Sequence, residues 1–213
     1  MRFTSKPCVS VIMPTFNRSR FIRTAIKSLL SQTFTDWELL IVDDGSTDST
    51  MQIVEPYLFE NPRVRYMKHS NRKAPLSRNA GMQASFGKFI TFLDSDDYYL
   101  PNHLASRVSI IGEPDSPDLL VGGILAPPGT MVRDRTNPEM LVPLEQCIPG
   151  ATFFGRRELF FALSGFRNLP YAEDTDLWER ATAAGWKLKT VDHPKTYIYQ
   201  QSPDSITQNY RQS

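Results

Sequence analysis

The sequence predicts an α/β protein built on a mainly parallel sheet flanked by helices. Three observations lead there. Apolar runs of strand length alternate with segments of helical periodicity, the connections between them are short, and polar or acidic residues cluster just after three of the runs. Alternation of this kind argues for parallel strands covered on both faces.

Val9-Ser10-Val11-Ile12-Met13 is the first strand. A helix from about Arg20 to Leu30 follows, with Ile22, Ala25, Ile26, Leu29 and Leu30 at helical spacing. Trp37 to Val42 is the second strand and ends in Asp43-Asp44-Gly45-Ser46. The next helix runs from about Thr47 to Tyr57, capped by Ser46 or Asp48. Arg63 to Lys68 alternates as a third strand, and Pro75 to Ser85 is the third helix. Phe89 to Leu93 is the fourth strand, followed by a helix over Asn102–Ile111.

After Leu119-Leu120-Val121 the pattern changes. Residues 122–148 are rich in Gly, Pro and polar residues, with weak periodicity. Helices near Arg156–Leu163 and Asp174–Ala184 precede strands at Lys187–Val191 and Thr196–Gln200. No internal repeat or linker divides the chain. Residues 1–213 are therefore expected to form one domain with two functional halves, about 1–114 and about 115–213.

Composition limits the function classes. Hydrophobic residues at 40% and charged residues at 22% suit a globular protein with a real core. A net charge of +1 and the lack of a long basic block give no basis for a nucleic-acid partner. Cys8 and Cys147 form no CxxC pair and suggest no disulfide framework, so a cytoplasmic location is expected. The N-terminal residues lack the apolar core of a signal peptide, and Leu119 to Ala126 is too short to span a bilayer. Peripheral contact with the inner face of the membrane stays open.

The chemistry gathers where an open α/β sheet collects ligands, at the carboxyl ends of its strands. The first strand ends in Pro14-Thr15-Phe16-Asn17-Arg18, the second in Asp43-Asp44-Gly45-Ser46 and the fourth in Asp94-Ser95-Asp96-Asp97. Three carboxylates in four positions repel one another unless something positive arrives. The last cluster is either a solvated turn or a cation site. Asp94 and Asp96, two residues apart on an extended segment, can face one ligand, and Mg²⁺ or Mn²⁺ prefers such hard oxygens.

Four stretches resemble family 2 glycosyltransferases of the GT-A fold: VSVIMPTFNR (9–18), LLSQTFTDWELLIVDDGSTDST (29–50), LSRNAGMQASFGKFITFLDSDD (76–97) and EDTDLW (173–178). The match covers nearly the whole first half and thins through residues 115–170. The resemblance implies transfer of a sugar from a nucleotide diphosphate sugar, UDP favoured, to a carbohydrate or lipid-linked acceptor with inversion. It implies a nucleotide-binding first half in which Pro14, Thr15, Phe16 and Asp44 hold the nucleoside. Arg78, Asp94 and Ser95 would lie along the rest of the donor, and Asp96 would hold Mn²⁺ or Mg²⁺. In the acceptor half it implies Asp174 as the base, with Glu173 orienting the site. Trp178 is read either as a sugar-stacking ring or as core. Asp97 is read as a cap of the following segment.

The chain departs from the family pattern at two places. Where many relatives carry a Gly-rich turn before the Arg-Asn-x-Gly segment, it reads Asn71-Arg72-Lys73-Ala74-Pro75, stiffer and more basic. Where many carry Tyr-Arg-x-His-x-x-Ser, it reads Tyr199-Gln200-Gln201-Ser202-Pro203-Asp204-Ser205, with Ser202 at the histidine position. Two other classes compete. A nucleotidyltransferase would use a similar carboxylate pair, but no Gly-rich basic loop follows the first strand. A sugar-nucleotide-binding module without turnover would keep the donor half and not need Asp174.

Overall fold

The computed structural model describes residues 6–112, 115–137 and 139–200. Its elements in chain order begin β1 (Val9–Thr15), α1 (Ile22–Leu30), β2 (Trp37–Asp43), α2 (Thr50–Glu60), β3 (Val64–Lys68), α3 (Ala74–Ala84) and β4 (Phe89–Phe92). There follow β5 (Tyr98–Tyr99), α4 (His103–Ile111), β6 (Leu119–Gly122), β7 (Ile124–Leu125), β8 (Met131–Arg133) and β9 (Leu141–Pro143). The last are β10 (Phe154–Arg156), α5 (Arg157–Ala162), α6 (Glu173–Ala183), β11 (Leu188–Val191) and β12 (Tyr197–Ile198).

Seven strands form the central sheet in the order β11-β6-β10-β4-β1-β2-β3. β1 pairs in parallel with both β2 and β4, β2 with β3, and β6 with β11. The exception is β10, antiparallel to β4 on one side and β6 on the other. Every residue of β1 and β2 is buried, as expected for central strands covered on both faces.

The side chains of β1 divide between two cores. Val9, Val11 and Met13 join the apolar faces of α1, α2 and α4. Ile12 points the other way, among residues of α3, α5 and α6. On that second face Gly81 lets α3 approach closely, since a Cβ there would lie 2.4 Å from Ile12 Cγ2. The two cores hold the strand ends in fixed register, Thr15 opposite Asp43.

The structure differs from the sequence expectations in a few elements. α2 starts at Thr50, and neither Ser46 nor Asp48 occupies its cap position, which is Ser49. Both residues instead tie the loops after β1 and β2 together: Ser46 Oγ accepts the Asn17 N–H at 2.9 Å, and Asp48 accepts those of Ser19 and Thr50, each at 3.0 Å. The weakly periodic stretch contains the β8–β9 hairpin, and β12 joins a separate three-stranded sheet, β5-β12-β7.

Candidate active site

Because β1, β2 and β4 run in parallel, their carboxyl ends meet at one edge of the sheet. Pro14 and Thr15 are the last two residues of β1, and the Thr15 carbonyl accepts the Asp44 N–H at 2.8 Å. Thr15 Oγ1 is buried without a hydrogen-bond partner among the described residues. Phe16, next along, is 42% exposed, so this ring is not spent on the core.

Asp44 is buried and folds the basic turn onto itself. Its carboxylate accepts the backbone N–H groups of Arg72 at 2.7 Å and Lys73 at 2.8 Å, with His69 Nδ1 at 3.2 Å. Lys73 holds φ +73°, a conformation that glycine adopts far more readily. The departure from a Gly-rich turn therefore keeps the glycine-like backbone while adding a cation.

The acidic stretch after β4 is a tight turn closed by the Asp97 N–H donating to the Asp94 carbonyl at 3.0 Å. Its three carboxylates meet different fates. Asp94 receives a hydrogen bond from Arg78 Nη2 at 3.0 Å. Asp97 is buried and accepts the Tyr197 hydroxyl and the Gln200 N–H, both at 2.7 Å. Asp96 makes a long ion pair, 3.6 Å to Arg18 Nε. Burial, then the charge of Asp94, pushes its carboxyl up to about 6 against the pull of Arg18. Ser95 between them is buried.

Arg78 reaches from α3 across the edge of the sheet. Although it sits on a helix, it is only 7% exposed. Nη2 bonds Asp94, Nη1 bonds Glu173 at 2.7 Å, and its guanidinium lies 5.5 Å from the Phe166 ring centroid. One arginine thus joins the acidic turn to the start of α6.

At that start Ala172 adopts φ +59°, and Glu173, Asp174 and Asp176 fill the first turn, where the helix dipole favours acids. Asp174 Oδ2 accepts the Gly150 N–H at 3.0 Å, and Oδ1 the Thr175 N–H at 2.7 Å. Burial, then Glu173, pushes its carboxyl up to about 6, against those bonds and Arg78. Asp176 differs: it pairs with Arg180 at 2.8 Å and Arg167 at 3.0 Å. Trp178 is partly buried in the second core, its ring parallel to that of Phe153 at 6.3 Å.

The donor set suits a hard cation at Asp96. Among the described residues no group of three or more His, Cys, Asp or Glu is arranged to cage one. A buried carboxylate whose negative charge is disfavoured by its surroundings nevertheless gains when a cation neutralises it, and Mn²⁺ and Mg²⁺ complete their shells with phosphate and water. Ser202, at the family's histidine position, lies outside the described residues. The sequence reading singled out Asp44, Arg78, Asp94, Asp96, Glu173 and Asp174. It assigned no role to Gly150 or Tyr197, whose contacts arise only between distant segments.

Comparison with known proteins accords with this layout. The family model for glycosyl transferase family 2 matches residues 10–167. The uncharacterized glycosyltransferase EpsJ of Bacillus subtilis (strain 168) is 30% identical over 95% of this chain and 63% of its own length. Residues 1–349 of TarS from S. aureus, solved in complex with UDP-GlcNAc, superpose with a TM-score of 0.74 at 26% identity, covering 93% of this chain and 59% of that one. The mannosyltransferase PcManGT from Pyrobaculum calidifontis, in complex with GDP-Man and Mn²⁺, has a TM-score of 0.74 at 19% identity and supports the fold alone. The chain spans about three-fifths of the lengths of EpsJ, TarS 1–349 and PcManGT. No described helix is long and apolar enough to cross a membrane. With its mostly parallel sheet, its acidic strand ends and a family match over most of its length, the chain belongs to glycosyl transferase family 2 and has the GT-A fold.

Proposed function

We propose that this protein transfers a sugar from a nucleotide diphosphate sugar to an acceptor hydroxyl with inversion, in polysaccharide or glycoconjugate synthesis. The observation that carries the reading is the bridge at Arg78, which holds Asp94 on the donor side and Glu173 on the acceptor side. Just beyond each partner lies a carboxyl pushed up to about 6: Asp96 on one side and Asp174 on the other. A site with two such groups and one shared arginine can hold a leaving group and deprotonate a nucleophile.

In this reading the half up to about residue 114 takes the donor and residues 115–213 take the acceptor within one domain. Pro14, Thr15, Phe16 and Asp44 hold the nucleoside, while Arg78, Asp94 and Ser95 orient the diphosphate and sugar. Asp96 would hold Mn²⁺ or Mg²⁺, which when bound neutralises charge on the departing diphosphate. Asp174 takes the proton of the acceptor hydroxyl as its oxygen bonds to C1 of the sugar. The C1–O bond to phosphate breaks on the opposite face, and its electrons leave with the nucleoside diphosphate. Glu173, held by Arg78, orients Asp174, and Trp178 supports this wall from the core. UDP is favoured as the nucleotide; the 26% identity with TarS, solved with UDP-GlcNAc, supports that choice. The acceptor is a carbohydrate or lipid-linked hydroxyl compound.

A panel of UDP- and GDP-sugars, each with and without Mn²⁺, tests the reading by thermal shift and by release of the nucleoside diphosphate. Ligand at about 100 times its dissociation constant should stabilise the native state by about 2.7 kcal/mol. NMR of the transfer product gives the stereochemistry. A product with retained configuration would exclude Asp174 as the base of a single displacement.

A further inference from the structure

The proposed mechanism gives no work to the buried Tyr197. Tyr197 lies in β12, about a hundred residues beyond the acidic turn, and is 0% exposed. Its hydroxyl stands in the mouth of that turn. It donates to Asp97 Oδ2 at 2.7 Å and accepts the Asp94 N–H at 3.3 Å, so it spans both ends of the four-residue turn. The other oxygen of Asp97 accepts the Gln200 N–H at 2.7 Å, tying the chain after β12 to the same carboxylate. β12 is in turn paired with β5, the two residues directly after the turn, with Tyr197 opposite Tyr99.

A solvated acidic turn needs none of this. Three neighbouring carboxylates repel, and a short turn held by one backbone hydrogen bond would splay to separate them. The buried tyrosine and the buried aspartate close it from the side facing the protein. That leaves Asp94 and Asp96 as the carboxylates available to a ligand.

We propose that Tyr197, acting with Asp97, is a positioning residue for the donor site: it fixes the Asp94–Asp97 turn in the shape that presents Asp94 and Asp96 together. The proposal rests on the donor site being read correctly, but it extends that site to a strand that none of the four family-like stretches contains. Asp97 acts as a strut and not as a ligand. β12 thereby becomes part of the donor site without touching the donor.

The test compares the wild type with Tyr197→Phe and with Tyr99→Phe. Tyr99 is also buried, but its hydroxyl is bonded to β4, donating to the Phe92 carbonyl at 2.7 Å, rather than to a carboxylate of the turn. Amide hydrogen exchange is followed on peptides covering residues 93–98, and affinity for UDP with Mn²⁺ by calorimetry. In Tyr197→Phe the turn should exchange about tenfold faster and nucleotide affinity should fall about tenfold, the effect of losing one buried hydrogen bond. The donor KM should rise while the acceptor KM stays put. Tyr99→Phe should lower the melting temperature yet leave turn exchange and affinity unchanged. If Tyr197→Phe does not fold, Asp97→Asn, which turns one acceptor into a donor, should show the same pattern. Equal turn exchange in Tyr197→Phe and wild type overturns the proposal, as does an equal loss of affinity in the Tyr99→Phe control. A wild type that binds no nucleotide overturns the reading of the donor site instead, and exchange still decides whether Tyr197 holds the turn.

Discussion

Asp96 and Asp174 are both pushed up to about 6, and the same direction of shift has two consequences. For Asp174, the proposed base, it is kinetic. A base that loses its proton near 6 gives a transfer rate that rises with pH through that value and levels above it. Asp174→Asn cannot take the proton, so transfer should fall by about two to four orders of magnitude while donor affinity stays. Asp176→Asn is the control, because Arg167 and Arg180 already occupy its oxygens. A near-normal rate in Asp174→Asn would leave that residue as a helix-start acid only. For Asp96 the consequence is thermodynamic. Its folded value lies above the ordinary 3.8 of an aspartate. The folded state therefore holds the proton more tightly than the unfolded chain does. That contribution is present in full below 3.8 and is lost as pH rises through about 6, so at neutral pH the ionised group costs about 1–3 kcal/mol. Asp96→Asn should then melt several degrees higher than wild type near pH 7.5 without metal, with the gap closing below pH 4. The same variant should lose metal-dependent nucleotide binding in calorimetry. An Asp96→Asn protein that melts lower near pH 7.5 would argue against a charge held at a cost. These carboxylates were legible because like charges crowd one short stretch. The partners of Asp97 were not, since Tyr197 and Gln200 lie about a hundred residues away with no local pattern to mark them.

Asp174, the proposed base, is placed by two elements, the start of α6 and a one-turn 3-10 helix at Gly150–Thr152. Gly150 donates its N–H to Asp174, and a Cβ added to it would lie 2.5 Å from Asp174 Cβ. Cβ is the stiff end of the side chain, so Asp174 itself would have to move. Gly150→Ala should therefore reduce transfer by about a hundredfold, the scale of an ångström-sized misplacement, with a small change in melting temperature. Retained activity would mean that α6 can shift as a unit. Legibility at this scale followed length and periodicity. The four helices and first four strands lie within a few residues of the sequence expectation: apolar runs mark β1, β2 and β4, alternation marks β3, and α1 shows apolar residues at helical spacing. β10 was missed because Phe154-Gly155-Arg156 is three residues long and runs straight into α5. β5, at two residues, is visible only through its pairing with β12. Yet β10 is what extends the sheet: inserted antiparallel between β4 and β6, it joins β4, β1, β2 and β3 to the strands before and after α6.

Across the whole molecule, α3, the turn after β4 and the start of α6 meet at a single guanidinium. Arg78 was legible as a residue of the Arg-Asn-x-Gly stretch, but its two partners, 16 and 95 residues away, were not. Packing supplies what sequence pattern lacks: the second core brings α3 and α6 onto one face of the sheet, and the arginine is buried between them. A buried ion pair gives little net stability over an apolar replacement of the whole set, but breaking one by removing a single partner leaves uncompensated charge. Arg78→Leu strands Asp94 and Glu173 together, and should lower the unfolding free energy by about 3–5 kcal/mol in urea denaturation. Arg78→Lys keeps the charge but loses the planar fork, so it should recover only part of that loss and bond one carboxylate at a time. Adding Glu173→Gln to Arg78→Leu should restore stability, because one of the two stranded charges is gone. Transfer activity should not return with it, since the arginine no longer ties Asp94 to the residue beside the base. If the double variant is no more stable than Arg78→Leu, the two carboxylates do not share the arginine energetically, and the turn after β4 and the start of α6 are held in place by apolar packing alone.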